Sequence, residues 1–140
     1  MCIRDRPEAD MIKISDEELA FVTEIEDEMP AIQSLFKGHV EAVIYTQGGN
    51  GAAVYLKDGT VLSHPGYKVE VVDTTGAGDA FIGAFISRLL QTDQADIASY
   101  IKTHGEAILD FSNYVASRVT TRYGALSSIP VIDDIPDHLK

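Results

Sequence analysis

Asp79 follows directly on a Gly76-Ala77-Gly78 corner, and here residue type and spacing together offer chemistry. Two glycines permit backbone angles that bulkier residues resist, so successive N–H groups can converge on one anion where a helix begins and its dipole is positive. An acid in the first turn of that helix then lies close to whatever anion binds. Taken alone, such an Asp also serves simply to complement the dipole, and such a corner simply to connect a strand to a helix tightly. The residues just before it, Asp73-Thr74-Thr75, add a carboxylate and two hydroxyls to the same spot.

A strand must deliver this corner and a helix must receive it. Residues 69–72 have the composition of a strand end, interrupted by Glu70, and residues 80–90 that of a helix apolar on almost every side. Upstream, residues 11–14 are a short apolar run with one lysine, expected as a strand. Ser15-Asp16-Glu17-Glu18 has capping-box spacing, with Ser15 as N-cap and Glu18 at N3, opening a helix to about Thr23. Residues 29–36, opened by acids and Pro30 and stopped at Gly38, predict a second helix. Residues 42–46 and 52–56 are strands around the glycine-rich turn 47–51, a hairpin able to wrap a phosphate. Lys57-Asp58-Gly59-Thr60 carries the Asp-Gly pair of a two-residue type I′ turn, so residues 61–64 return antiparallel.

Residues 96–119 are helical by pattern in spite of Gly105, with Ile97, Ile101, Ile108, Phe111 and Val115 on a broken apolar face. Residues 122–130 are expected as loop, the acidic tail beyond Val131 as exposed, and the run 24–28 as a solvated helix end. Tyrosines and phenylalanines are expected in core or edge packing. His39, His64, His104 and His138 are scattered without ligand spacing, as surface or loop residues are. Strands and helices that alternate through glycine corners predict an α/β layer architecture with its ligand at the carboxyl ends of the strands. Four or five strands are few for such a sheet.

The 140 residues, 45% hydrophobic and 24% charged, suit one soluble globular domain with a core of its own. The 22 acidic against 11 basic residues give a net charge of −11, which opposes sequence-independent attraction to nucleic acid or to an anionic membrane. No apolar run approaches the roughly 20 residues of a membrane-spanning helix, and the N-terminus lacks the apolar core of a secretory signal, so a cytoplasmic location is expected. Cys2 is the only cysteine, which leaves no intrachain disulfide and no cysteine metal cluster. The first six residues, set apart by Pro7, break the pattern that follows and take no part in fold reasoning.

Residues 73–81 with Gly83 resemble the C-terminal signature of the ribokinase-like (PfkB) carbohydrate kinases. Three further segments match in the same order: 13–19, beginning Lys13-Ile14-Ser15; Thr46-Gln47-Gly48-Gly49-Asn50-Gly51; and Asn113 with Thr121-Arg122-Tyr123-Gly124-Ala125 through to Pro130. The similarity covers residues 10–130 and lies closest to fructokinases. It implies a partial ribokinase-like α/β fold, a sheet with flanking helices, without the N-terminal half that carries the lid and the sugar-binding residues. Residues 1–9 are then expected as a non-native or disordered head, 10–131 as the C-terminal ATP-binding part of the kinase domain, and 132–140 as an acidic tail.

The resemblance further implies transfer of the ATP γ-phosphate to a sugar hydroxyl, with Mg²⁺ and also K⁺ as cofactors. Asp79 matches the catalytic base, and Gly76, Ala77 and Gly78 the anion hole. Thr46, Gly48 and Gly51 match the segment facing the ATP phosphates, and Asn113 a position lining the adenine pocket, where a solvent-facing helix residue is the alternative. Glu18 matches the acid that organises Mg²⁺ through its waters, although a capping box needs no metal. Ser15 stands where the family often has Asn. Asp73 and Thr75, with loop carbonyls and Ser128 near Gly124, match a monovalent-cation site. The implied partners are a small-molecule sugar and ATP, neither nucleic acid nor membrane, and a second copy of the full-length parent. Without an oriented hydroxyl the base loses an entropic advantage of up to about 7–11 kcal/mol, so little kinase activity is expected of this chain alone. A nucleotide-binding module or an inactive fragment is the alternative.

Overall fold

The computed structural model describes residues 9–93 and 95–140; the rest of the expected head, residues 1–8, lies outside them. Four strands form one sheet in the order β1(Met11–Ser15), β2(Ala42–Thr46), β3(Ala52–Leu56), β4(Val61–His64). β1 runs parallel to β2, with Ile12 opposite Val43 and Lys13 opposite Ile44. The β2–β3 and β3–β4 pairs are antiparallel. Between β1 and β2 the chain makes α1(Asp16–Thr23) and α2(Glu28–Ser34). After β4 come α3(Ala77–Leu89), α4(Ile97–Thr120) and the short α5(Ala125–Ser128).

The period-2 alternation of the strands divides the core in two. Ile12, Ile14, Val43 and Tyr45 face α1 and α2. Ala42, Ile44, Ala52, Val54 and Leu56 face Phe81, Phe85 and Leu89 of α3 and Ile101, Ile108 and Leu109 of α4. β2, covered on both sides, is therefore buried through its first four residues, as a strand in a two-faced sheet must be. The capping box forms as its spacing predicts: Ser15 Oγ accepts the Glu18 N–H at 3.2 Å, and Glu18 Oε2 accepts the Ser15 N–H at 2.9 Å. α4 crosses β4 at Gly105, where even a Cβ would come within 2.4 Å of Leu62 Cδ1.

Several sequence expectations give way to tertiary context. Residues 69–72 are not a strand: among the described residues no partner runs alongside, and the N–H groups of Val72 and Asp73 donate instead to the Thr120 carbonyl at the end of α4, at 2.8 and 3.1 Å. The β3–β4 turn is not type I′, because among the described residues only Glu24 and glycines have positive φ, so Asp58 is right-handed and Gly59 alone (φ 92°) is left-handed. That is the three-residue hairpin loop closed by a glycine. α3 begins at Ala77 and buries one face, leaving Ile86 and Leu90 exposed. Ile97, in the first turn of α4, is exposed, as is Phe21 at 82%. Within the expected loop 122–130, residues 125–128 are helical.

The tail beyond Val131 is not simply exposed. Ile135 and Leu139 are buried against Ala84, Phe111 and Val115. Arg88 fastens them, stacking 3.8 Å over the Phe111 ring and donating to the carbonyls of Leu139 and Lys140. Among the described residues no helix is long and apolar enough to cross a membrane. Phe85, between the sheet and α4, is the largest fully buried side chain among the described residues. Phe85→Ala is expected to lower the unfolding free energy by about 3–5 kcal/mol, read as a shift of the urea midpoint at unchanged slope.

Candidate active site

The ends of β1 and β2, the beginning of β3 and the segment after β4 all meet at one end of the sheet, and the N-terminus of α3 is brought to the same place. They enclose a cleft of about 560 Å³. Lys13 and Ser15 line it from β1, Thr46 from β2, Gly48, Gly49 and Gly51 from the hairpin turn, Ala77 and Gly78 from α3, and Asn113 from α4. Gly51 makes the turn fit: its φ is 94°, and a Cβ there would lie 2.0 Å from the His64 carbonyl oxygen. Only glycine lets the turn abut residues 64–66 so closely.

Gly76 (φ 80°) is the N-cap of α3. The Ala77 N–H is spent on the Thr74 carbonyl at 3.2 Å, and the Ala80 N–H on the Gly76 carbonyl at 2.9 Å. No described hydrogen bond takes the N–H groups of Gly78 and Asp79, which remain as free donors at the positive end of a 13-residue helix. A Cβ on Gly78 would sit 3.4 Å from Lys13 Nζ. Lys13, whose ion pair to Glu18 is a loose 3.9 Å, thus places a cation at the same spot. Sequence reasoning gave Lys13 no role. Its signal was the alternation of β1, which turns Ile12 and Ile14 to one face and Lys13 to the other. The Gly78 N–H, the positive end of the α3 dipole and the Lys13 ammonium thus lie together at this wall of the cleft, a combination that can attract an anion.

Asp79 is exposed in the first turn of α3 and is not among the cleft's walls. Asp73 and Thr75 lie together: Asp73 Oδ1 accepts the Thr75 N–H at 2.9 Å, and Oδ2 accepts the Gly124 N–H at 3.3 Å. Ser128, 2% exposed, donates its hydroxyl to the Gly124 carbonyl. The two peptide groups flanking Gly124 therefore link Asp73 to Ser128. Glu18 Oε2 is engaged by both the N–H and the hydroxyl of Ser15, which hold its carboxyl below the ordinary value, and the side chain stands outside the cleft walls. Asn113 does not face solvent; it is 7% exposed and lines the cleft beside Gly66. Among the described residues no group of three or more His, Cys, Asp or Glu side chains gathers as a metal site.

The family model described as pfkB family carbohydrate kinase matches residues 2–132. The chain is 37% identical over 134 residues to fructokinase-2 of Zea mays, covering 93% of this chain and 38% of that protein. It is 38% identical over 129 residues to fructokinase-2 of Oryza sativa subsp. japonica, covering 89% and 36%. A double-mutant fructokinase from Vibrio cholerae O395, whose structure holds fructose, ADP and a potassium ion, superposes with a TM-score of 0.80 at 29% identity, over 91% of this chain and 40% of that one. Aminoimidazole riboside kinase from Salmonella enterica, complexed with aminoimidazole riboside and an ATP analogue, gives 0.79 at 26% identity, over 94% and 42%. The chain thus spans well under half the length of the proteins it matches, and the fold is a part of theirs.

The Asp73 clamp has a pH signature. The hydroxyl and N–H of Thr75, then the N–H of Gly124, hold its carboxyl below the ordinary value of 3.8. A depressed folded pKa means that the clamp contributes above the unfolded value and is lost as pH falls through the lower folded one. The amide resonances of Thr75 and Gly124 are expected to titrate together below pH 3.8, and in Asp73→Ala that shared titration is expected to vanish.

Proposed function

Because the chain belongs to the pfkB family of carbohydrate kinases, we propose that it is the nucleotide-binding and phosphoryl-transferring part of an ATP-dependent sugar kinase of the fructokinase kind. The observation that carries this is the convergence of the Gly48–Asn50 turn, Lys13 and the free N–H groups opening α3 on one cleft. In this proposal the triphosphate lies between turn and corner, facing Thr46, Gly48 and Gly51, with the base toward Asn113. The corner Gly76-Ala77-Gly78 stabilises charge on the transferred group, and a donor in a comparable acyl-transfer hole is worth about 10²–10³ in rate.

Asp79 takes the proton of the attacking sugar hydroxyl as its oxygen bonds to the γ-phosphorus and the bridge to ADP breaks; such a base is worth roughly 10²–10⁴. When bound, Mg²⁺ would offset phosphate charge and K⁺ would order the corner. Mg²⁺ usually keeps its waters and leans on one or two carboxylates plus substrate phosphates; in this proposal Glu18 would be such a carboxylate, reaching the metal through its waters. Asp73, Thr75, Ser128 and the carbonyls near Gly124 would hold K⁺. Fructose as the acceptor is suggested by the relatives' names.

The exposed position of Asp79 outside the cleft walls favours a second statement: this chain alone binds nucleotide and does little chemistry, the sugar being positioned by the portion of such kinases that it does not span. The purified chain is expected to be stabilised by Mg-ATP and to phosphorylate fructose negligibly. Turnover in the ordinary range of roughly 1–10³ s⁻¹ would contradict this. In a polypeptide joining this chain to the remaining span of the kinase, Asp79→Asn is expected to abolish phosphorylation at unchanged ATP affinity, and near-normal rates would refute its role as base.

A further inference from the structure

Behind one wall of the cleft lies a polar cluster that phosphate chemistry does not use. It is assembled from the end of β4, the segment after it, and α4. The Asn113 Nδ2 is 3.4 Å from the His64 Nδ1. The same Nδ1 accepts the Gly66 N–H at 3.1 Å. A backbone N–H can only donate, so this nitrogen carries a lone pair and the ring proton sits on Nε2. His64 Nε2 in turn faces Asp110 Oδ1 at 3.3 Å, and the Tyr67 hydroxyl donates to that same oxygen. Burial first, and then Asp110, push the Tyr67 hydroxyl up to about 12, so it stays a donor at neutral pH.

With His64 Nδ1 an acceptor, the Asn113 amide keeps its bond only with the NH₂ group toward His64 and the carbonyl Oδ1 turned away. No described hydrogen bond reaches that Oδ1, although the residue is 7% exposed and lines the cleft. A buried acceptor without a partner is costly to a fold and is a place where a ligand donor gains most. Gly66, which also lines the cleft, is its neighbour there: a Cβ on Gly66 would stand 3.8 Å from Oδ1, in ordinary contact.

We propose that His64, oriented by Asp110 and Tyr67, is a specificity-determining positioning residue: it fixes the Asn113 amide so that the cleft presents a buried acceptor, which selects a nucleotide base bearing an exocyclic amine over one bearing a carbonyl. This rests on the nucleotide assignment of the cleft. His64 touches no ligand in this account and acts through Asn113. The cluster would otherwise be only a brace for residues 64–68, and a brace would not distinguish one base from another.

The test compares binding of ATP, of ITP, in which a carbonyl replaces the amine, and of inorganic tripolyphosphate, by titration calorimetry on the full chain. The unaltered protein is expected to bind ATP about tenfold tighter than ITP, the worth of one hydrogen bond to a buried acceptor. His64→Leu is expected to bring that ratio near one with tripolyphosphate affinity unchanged. His64→Asn, whose side-chain oxygen can stand where Nδ1 stood, is expected to keep most of the ratio. Should His64→Leu fail to fold by circular dichroism, Asp110→Ala decides, with an expected fall of several-fold in the ratio. Equal ATP and ITP affinities in the unaltered protein, a ratio that survives these variants, or an equal loss of ATP and tripolyphosphate binding would each overturn the proposal. Absence of ATP binding by the unaltered chain would instead overturn the nucleotide assignment, and this proposal with it.

Discussion

The structure depends on holding unpaired helix donors at the mouth of the sheet. The first N–H groups of any α-helix lack partners within it, and an anion site needs them held rigid. Here α3 is held by apolar packing, with Phe81, Phe85 and Leu89 seated on Ala42, Ile44 and Val54 and on the buried face of α4. Its entry is pinned from outside: Thr120 at the end of α4 receives the N–H groups of Val72 and Asp73, and Asp73 receives those of Thr75 and Gly124. The corner is therefore an extension of the α3–α4 pair, and the tail that closes over Phe111 and Val115 stiffens the same pair from its far side.

In the proposed nucleotide site, charge balance leaves the attraction to dipoles. A chain with a net charge of −11 repels a polyphosphate at long range. At physiological salt that repulsion is screened beyond about 8 Å, so local groups decide. Among the charged walls of the cleft, Lys13 and Lys68 stand against Asp16 and Glu17, which nearly cancel. The surplus comes from neutral groups that carry oriented partial charge, the N–H groups of Gly78 and Asp79 and the glycine turn. Gly51 contributes by subtraction, because a side chain there would push the turn away from residues 64–66.

What was legible in the sequence was local. The capping box needs only Ser15 and Glu18 at their spacing, and it formed. The strands 11–15, 42–46, 52–56 and 61–64 followed from short apolar runs and turn residues. Residues 69–72 have strand composition but no strand neighbour, so the carbonyl at the end of α4 took their donors, a partner about fifty residues away in sequence. The Asp-Gly turn was placed correctly and typed wrongly, because one extra loop residue lets Asp58 stay right-handed. Ile135 and Leu139 were hidden in an acidic stretch whose net composition outweighed their i, i+4 spacing. The His64–Asp110–Asn113 cluster could not be found by spacing at all, since β4 and α4 bring it together across nearly fifty positions. At the site, the glycine pattern and Asp79 were visible in the sequence, while Lys13 needed the sheet to show which face it takes.

The central claim is that a nucleotide's phosphates sit between the hairpin turn and the start of α3. Backbone amide shifts of the chain, followed during titration with Mg-ATP, test it most directly. The account predicts that the largest changes fall at Gly48, Gly49 and Gly51 and at Gly78 and Asp79, with the β3–β4 turn at Gly59 unmoved at the opposite end of the sheet. Saturable changes centred elsewhere, or none at millimolar nucleotide with the fold intact, would contradict it.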